Sequence, residues 1–240
     1  MTNAKIVISI LLLFGMVFIF HCNKNSSDPE PDKPAQPEFV IKSLDTAENE
    51  TGIDAIPEGN GILLEWHPLT IDLIEWVKIY KRSQGNQNFQ FLTSVESTDS
   101  MYIDYDITIE TRYYYYLKSV DKVKVESLPS DTMSYKLLPK ATSLNNTNLA
   151  SPTFSWQYPY LSPVGYLVRL EDDGSSEVIW ISSEIQSYEP TTTTNISFNF
   201  DGKAKLDSLQ TGIKYRWRVD VLGSDLYSGS ESGWNIIERD

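Results

Sequence analysis

The chain has 240 residues, enough for one or two domains, and its 40% hydrophobic and 12% aromatic side chains can fill real cores. Acidic residues outnumber basic ones 33 to 20, for a net charge of −13. This balance excludes a general nucleic-acid binder, whose phosphate contacts need a Lys/Arg surface. Cys22 is the single cysteine, which excludes a disulfide framework and a cysteine metal cluster.

The chain opens with Lys5 and then residues 6–20, IVISILLLFGMVFIF, without a charge. A charged start and a short apolar middle mark a secretory signal. Fifteen residues are few for a membrane span, which needs about 20. His21 and Cys22 follow directly. The arrangement resembles a bacterial lipoprotein signal, in which the cysteine becomes the lipidated N-terminus. Ile19 fits the aliphatic position three before the cysteine, whereas Phe20 and His21 depart from the pattern. The resemblance implies a signal peptide over 1–21, lipid on Cys22 and a membrane anchor in the cell envelope. Asn23, where an Asp commonly retains such proteins in the inner membrane, leans towards the outer membrane. An uncleaved N-terminal anchor is the alternative. Residues 23–37 are rich in Pro, Ser, Asn and Asp and lack apolar periodicity. With Cys22 they read as an extended, solvated tether over 22–37.

Beyond the tether, short strands alternate with turns. Ile62, Leu64 and Trp66 share one face of a strand, and residues 77–81 alternate again. A turn at 83–86 leads to a strand at 89–92, and residues 113–120 form a longer one. The plan then repeats. Thr153 to Trp156 parallels the strand ending in Trp66, residues 165–170 parallel 77–81, and 215–221 parallel 113–119. Regular short strands with turns between them predict an all-β fold of sandwiches. A repeat of about 90–100 residues is a domain duplication, since solenoid repeats run at about 20–50.

Both halves resemble fibronectin type III domains. That family carries a tryptophan late in its second strand, here Trp66 and Trp156. It approaches its sixth strand with Leu-x-Pro-Gly-x-x-Tyr. The second half has Leu209-Gln210-Thr211-Gly212-Ile213-Lys214-Tyr215, with Thr211 in place of proline. The first has Ile107-Thr108-Ile109-Glu110-Thr111-Arg112-Tyr113, without the glycine. The resemblance implies two tandem immunoglobulin-like sandwiches, over 38–138 and 139–240, each with a tyrosine corner at Tyr113 or Tyr215. Trp66, Val77, Ile79, Tyr113, Tyr115 and Leu117 would fill one core. Trp156, Tyr166, Val168, Leu170, Tyr215, Trp217 and Val219 would fill the other. The short link at Leu138-Pro139-Lys140 implies a semi-rigid, end-to-end pair.

Catalytic chemistry finds few candidates. His67 is the only histidine past the signal, stands beside Pro68, and reads as a surface residue at a loop start. Glu171-Asp172-Asp173-Gly174 lacks the acid spacing of a calcium loop and reads as a hairpin turn. No Gly-rich phosphate loop occurs, and no cofactor, metal or enzymatic activity is expected.

Two faces suggest binding. With Val77 and Ile79 inward, Trp76, Lys78 and Tyr80 point outward, beside Tyr114 and Tyr116. These aromatics either contact a glycan or protein partner, or pair across strands to support the sheet. In the second half Arg169, Arg216 and Arg218 point outward with Asp220, forming either a basic patch for an anion or a set of salt bridges. A short Asp-Ser/Thr pattern at Asp45-Thr46-Ala47, Asp99-Ser100-Met101, Asp131-Thr132-Met133 and Asp207-Ser208-Leu209 resembles a bacterial O-glycosylation signal. The expected function is a non-catalytic binding, display or spacer module with an unknown envelope protein as partner. The alternative is a glycan-binding lipoprotein serving polysaccharide capture.

Overall fold

The computed structural model describes residues 33–69, 73–158, 160, 164–187 and 193–239. The expected signal segment and Cys22 lie outside the described residues. Residues 33–240 form one compact unit, and among the described residues there is no helix.

The first half supplies seven strands: β1 (Asp54–Ala55), β2 (Ile62–Glu65), β3 (Ile74–Ser83), β4 (Gln90–Glu96), β5 (Met101–Asp104), β6 (Arg112–Asp121) and β7 (Met133–Leu137). β1, β2 and β5 form a three-stranded sheet, and β4, β3, β6 and β7 lie side by side in the facing one. The second half repeats this with β8 (Thr142–Asn146), β9 (Thr153–Gln157), β10 (Val164–Asp172), β11 (Val178–Ile181), β12 (Ile185–Ser187), β13 (Thr193–Ser197), β14 (Lys214–Leu222), β15 (Ser228–Glu231) and β16 (Asn235–Glu238). Its three-stranded sheet is β13-β9-β8, and its larger sheet runs β11-β10-β14 with β15 and β16 sharing the far edge of β14. Three strands face four in the first half and six in the second, where β11 and β12 share one edge of β10 as β15 and β16 share one edge of β14; the chain order is otherwise the same, the sandwich architecture that the fibronectin resemblance implies.

Alternation explains the cores. Tyr113, Tyr115 and Leu117 on β6 meet Val77 and Ile79 on β3 and Ile62, Leu64 and Trp66 on the facing sheet, all buried. The second core gathers Phe154, Trp156, Tyr166, Val168, Leu170, Trp180, Tyr215, Trp217 and Val219. Each tyrosine corner is closed: the hydroxyl of Tyr113 accepts from the Thr108 N–H at 3.0 Å, and that of Tyr215 from the Gln210 N–H at 3.2 Å. The proline and glycine missing from these approaches are therefore dispensable for the corner. Trp66 donates through Nε1 to the Asp99 carbonyl at 2.9 Å.

Three features differ from the sequence reading. The end of the expected tether is packed: Pro37 is buried, and the Ala35 carbonyl accepts from the Ser119 hydroxyl. The first strand is interrupted by a strap, residues 41–52, which leaves the sheet after the Phe39–Trp66 bridge and returns at β1. Its neck closes through the Ser43 N–H to the Thr51 carbonyl at 3.0 Å. Gly52 at φ 86° permits this, because a Cβ there would sit 2.6 Å from the Lys42 backbone.

Finally, the two larger sheets are one. β15 pairs in parallel with β7, Ser228 opposite Lys136 and Gly229 opposite Leu137. The overlap is two residue pairs, at the end of β7 and the start of β15, so the second sandwich continues beyond the first. The link itself is packed. Leu138 and Pro139 are buried, and Lys140 donates to the carbonyls of Ile56 and Pro57 at 2.7 and 2.8 Å.

Candidate functional site

The outward face of the first sandwich carries the expected aromatics. Trp76, Tyr80, Tyr114 and Tyr116 are all half-buried there. Register brings them together: Tyr80 lies opposite Tyr116, and Arg82 opposite Tyr114. Tyr80 stacks on Tyr116, with ring centroids 4.7 Å apart and planes 13° from parallel. Phe91 meets Tyr80 edge-on at 5.9 Å, and Phe89 meets Tyr116 at 4.8 Å. The Arg82 guanidinium covers Tyr114 at 3.8 Å and reaches Phe89 at 5.1 Å. The sequence reading had not included Arg82, Phe89 or Phe91 in this group. Lys78 and Lys118 share Glu126 at 2.6 and 3.0 Å. Their hydrogen bonds hold the Glu126 carboxyl below the ordinary carboxylate range.

This geometry decides what the face can offer. Stacking a sugar needs a free ring face, and Tyr80, Tyr114 and Tyr116 each have one face covered by another ring or a guanidinium, which leaves at most the opposite face. Such pairs contribute about 0.5–1.5 kcal/mol each to the sheet itself. Among the described residues, Trp76 has no ring or cation stacked on it, and Phe91 is 56% exposed. Beside Tyr114 a groove of about 730 Å³ opens towards the turn before β15, lined by Arg112, Met133, Lys136, Asp225, Leu226 and others. Arg112 fixes that turn by donating to the Leu226 carbonyl at 2.9 Å, while Lys136 pairs with Asp225 at 3.2 Å.

The basic patch of the second sandwich is corrected. Arg169 and Arg218 are 1% and 4% exposed, so neither is open to an external anion. They lie where the strap of the first sandwich crosses the second. Arg169 donates to the carbonyls of Ala47 and Glu48 at 2.6 and 3.1 Å and pairs with Glu50 at 3.2 Å. Arg218 pairs with Glu50 at 2.6 Å, Asp220 at 2.7 Å and Glu231 at 2.9 Å. Burial disfavours its charge, but these three carboxylates outweigh burial and hold its pKa above the ordinary value. Arg216 remains half-buried, bound to Glu171 at 2.7 Å and stacked under Trp234 at 4.5 Å. Among the expected readings, salt bridging describes all three arginines. The partners that the sequence reading missed, Glu48, Glu50, Glu231 and Trp234, come from segments with no apolar alternation.

His67 is exposed. In the Glu171–Gly174 hairpin the Asp172 carboxylate accepts from the N–H groups of Gly174 and Ser175 at 2.9 and 2.8 Å, as a turn residue does. Among the described residues no group of three His, Cys, Asp or Glu side chains is arranged to hold a metal ion.

No protein-family model and no curated protein matches the chain. Solved structures do. The fibronectin domains FN1–FN3 of chicken CNTN1 align at 15% identity and TM-score 0.36, over 87% of this chain and 68% of that one. A two-domain fibronectin type III segment of chicken tenascin aligns at 14% identity and TM-score 0.32, over 78% and 97%. A structure described as a myokine aligns at 14% identity and TM-score 0.32, over 43% and 97%. The fold itself is read from strand order, register and the two tyrosine corners.

Proposed function

We propose that the protein is a lipid-anchored module of the cell envelope, held at the outer membrane through Cys22, which presents a partner-binding face clear of the bilayer. The observation that supports this reading is the polarity of the first sandwich. Residues 33–37 meet it near Ser119, at the end of β6, whereas the second sandwich attaches through β7 at Arg112, at the start of β6. Seven residues of strand separate the two attachments, about 24 Å at 3.4 Å per residue. The anchored segment and the second sandwich thus leave from opposite ends, and the joined sheet keeps them apart.

The partner is an envelope protein, which meets the half-buried aromatic face through side-chain edges, hydroxyls and cations. Glycan capture is the second reading, and Trp76 and Phe91 are the rings that favour it.

Crosslinking on intact cells tests both parts. Wild-type protein should label with lipid, fractionate with membrane and crosslink to an envelope protein. Cys22→Ala should lose the label and leave the membrane fraction. A variant that still fractionates with membrane would point to an uncleaved anchor. Recovery of polysaccharide in place of protein would move the assignment to glycan capture.

A further inference from the structure

The junction between the sandwiches buries carboxylates that share their cations. Asp45 and Glu50 from the strap, Asp54 from β1, Asp220 from β14 and Glu231 from β15 converge on a cavity of about 10 Å³. That is room for about one water. Glu171 on β10 completes the set through Arg169 at 3.7 Å. The facing cations are Lys42 on Asp45 and Asp54, Lys140 of the link, and Arg169, Arg216 and Arg218. Tyr135 on β7 faces the same carboxylates and donates to Asp54 at 2.9 Å. Asp45 keeps a side chain 38% exposed, but Asp54, Asp220 and Glu231 are buried, and Asp220 and Glu231 both rely on Arg218 for an ion pair. Among the carboxylates at this junction no three are arranged for a metal ion.

We propose that the junction is a proton-dependent lock: it closes with a proton held among Glu231, Asp220 and Glu50, and it loosens as the pH rises. A buried carboxylate without its own cation is costly as an anion and acceptable as a neutral acid. Glu231 is the natural holder. It shares Arg218 with Asp220 and Glu50, and whereas Glu50 also has Arg169 at 3.2 Å, Glu231 and Asp220 divide the one guanidinium between them. Burial, before any neighbouring charge, pushes its carboxyl up to about 10, and burial raises Asp220, Glu50 and Asp54 in the same direction. The sign follows. A group whose pKa is higher in the closed state binds a proton on closing, so its contribution is complete below about 4.5 and is lost as the pH rises towards about 10.

Hydrogen exchange on the full-length chain, corrected for the intrinsic pH dependence of amide exchange, reads this directly. Protection of the strap and of β15 should fall between pH 5.5 and 8.5, by up to about tenfold per pH unit, the limit for one proton. Both hydrophobic cores should stay protected throughout. Glu231→Gln mimics the protonated acid and should keep the junction closed at pH 8.5. Protection of the strap that is independent of pH in the wild type would overturn the proposal. So would a folded Glu231→Gln chain that retains the wild-type pH dependence. The wild-type titration decides by itself if that variant does not fold.

Discussion

Tyr113 and Tyr215 bury their rings and direct their hydroxyls to one backbone N–H five residues earlier. Removing the hydroxyl leaves the ring in place and frees one N–H beside solvent, so the cost is that of a single hydrogen bond. Tyr113→Phe and Tyr215→Phe should each lower the unfolding free energy by about 1 kcal/mol in urea, with an unchanged denaturant slope. Both tyrosines were legible in the sequence because the corner is local. Arg169 and Arg218 were legible only as outward-facing positions on β10 and β14. Their outward face is covered by the strap, more than 110 residues earlier in the chain, and no periodicity within a strand carries that information.

At the level of elements, the parallel pairing of β15 with β7 depends on Gly229. A Cβ there would lie 2.6 Å from the Val221 carbonyl oxygen and 3.2 Å from the Tyr135 hydroxyl. The backbone of β15 is held between β14 and β7 and cannot yield without breaking one of them. Gly229→Ala should therefore destabilise the chain by about 1–3 kcal/mol, the usual range for overpacking. It should also speed amide exchange at Lys136 and Leu138, whose N–H groups bond to the carbonyls of Tyr227 and Gly229. Unchanged exchange at those amides would mean that the joined sheet does not depend on this glycine. The elements themselves were largely readable: β2, β3, β6, β9, β10 and β14 all carry a two-residue apolar alternation. The strap and the split between β15 and β16 were not, because neither has an apolar face of its own.

For the molecule as a whole, the consequence of the joined sheet and the buried charges is coupling. Unfolding either sandwich alone would strand charges of the other without partners, at a cost of several kcal/mol. The two cores should melt in one transition, with calorimetric and van't Hoff enthalpies that agree at pH 6. Two separated transitions would show that the sandwiches are energetically independent. In the sequence the three-residue link at Leu138-Pro139-Lys140 implies a semi-rigid, end-to-end pair. In the fold Leu138 and Pro139 are packed, and Lys140 bonds to the first sandwich.

The sequence by itself determined the all-β class, the duplication, the inward face of each long strand and the central residues of both cores, because strand alternation and turn chemistry are local and repeat at short range. It also set the expectation that Cys22, the only cysteine, is an anchor. Only the tertiary structure decided which outward residues stay accessible. The stacking of Tyr80 on Tyr116, the strap over Arg169 and Arg218, and the convergence of Asp54, Asp220 and Glu231 all join segments far apart in the chain. Their partners are fixed by where the folded sheets bring them, and the energy of a buried charge depends on that neighbourhood rather than on its place in the sequence.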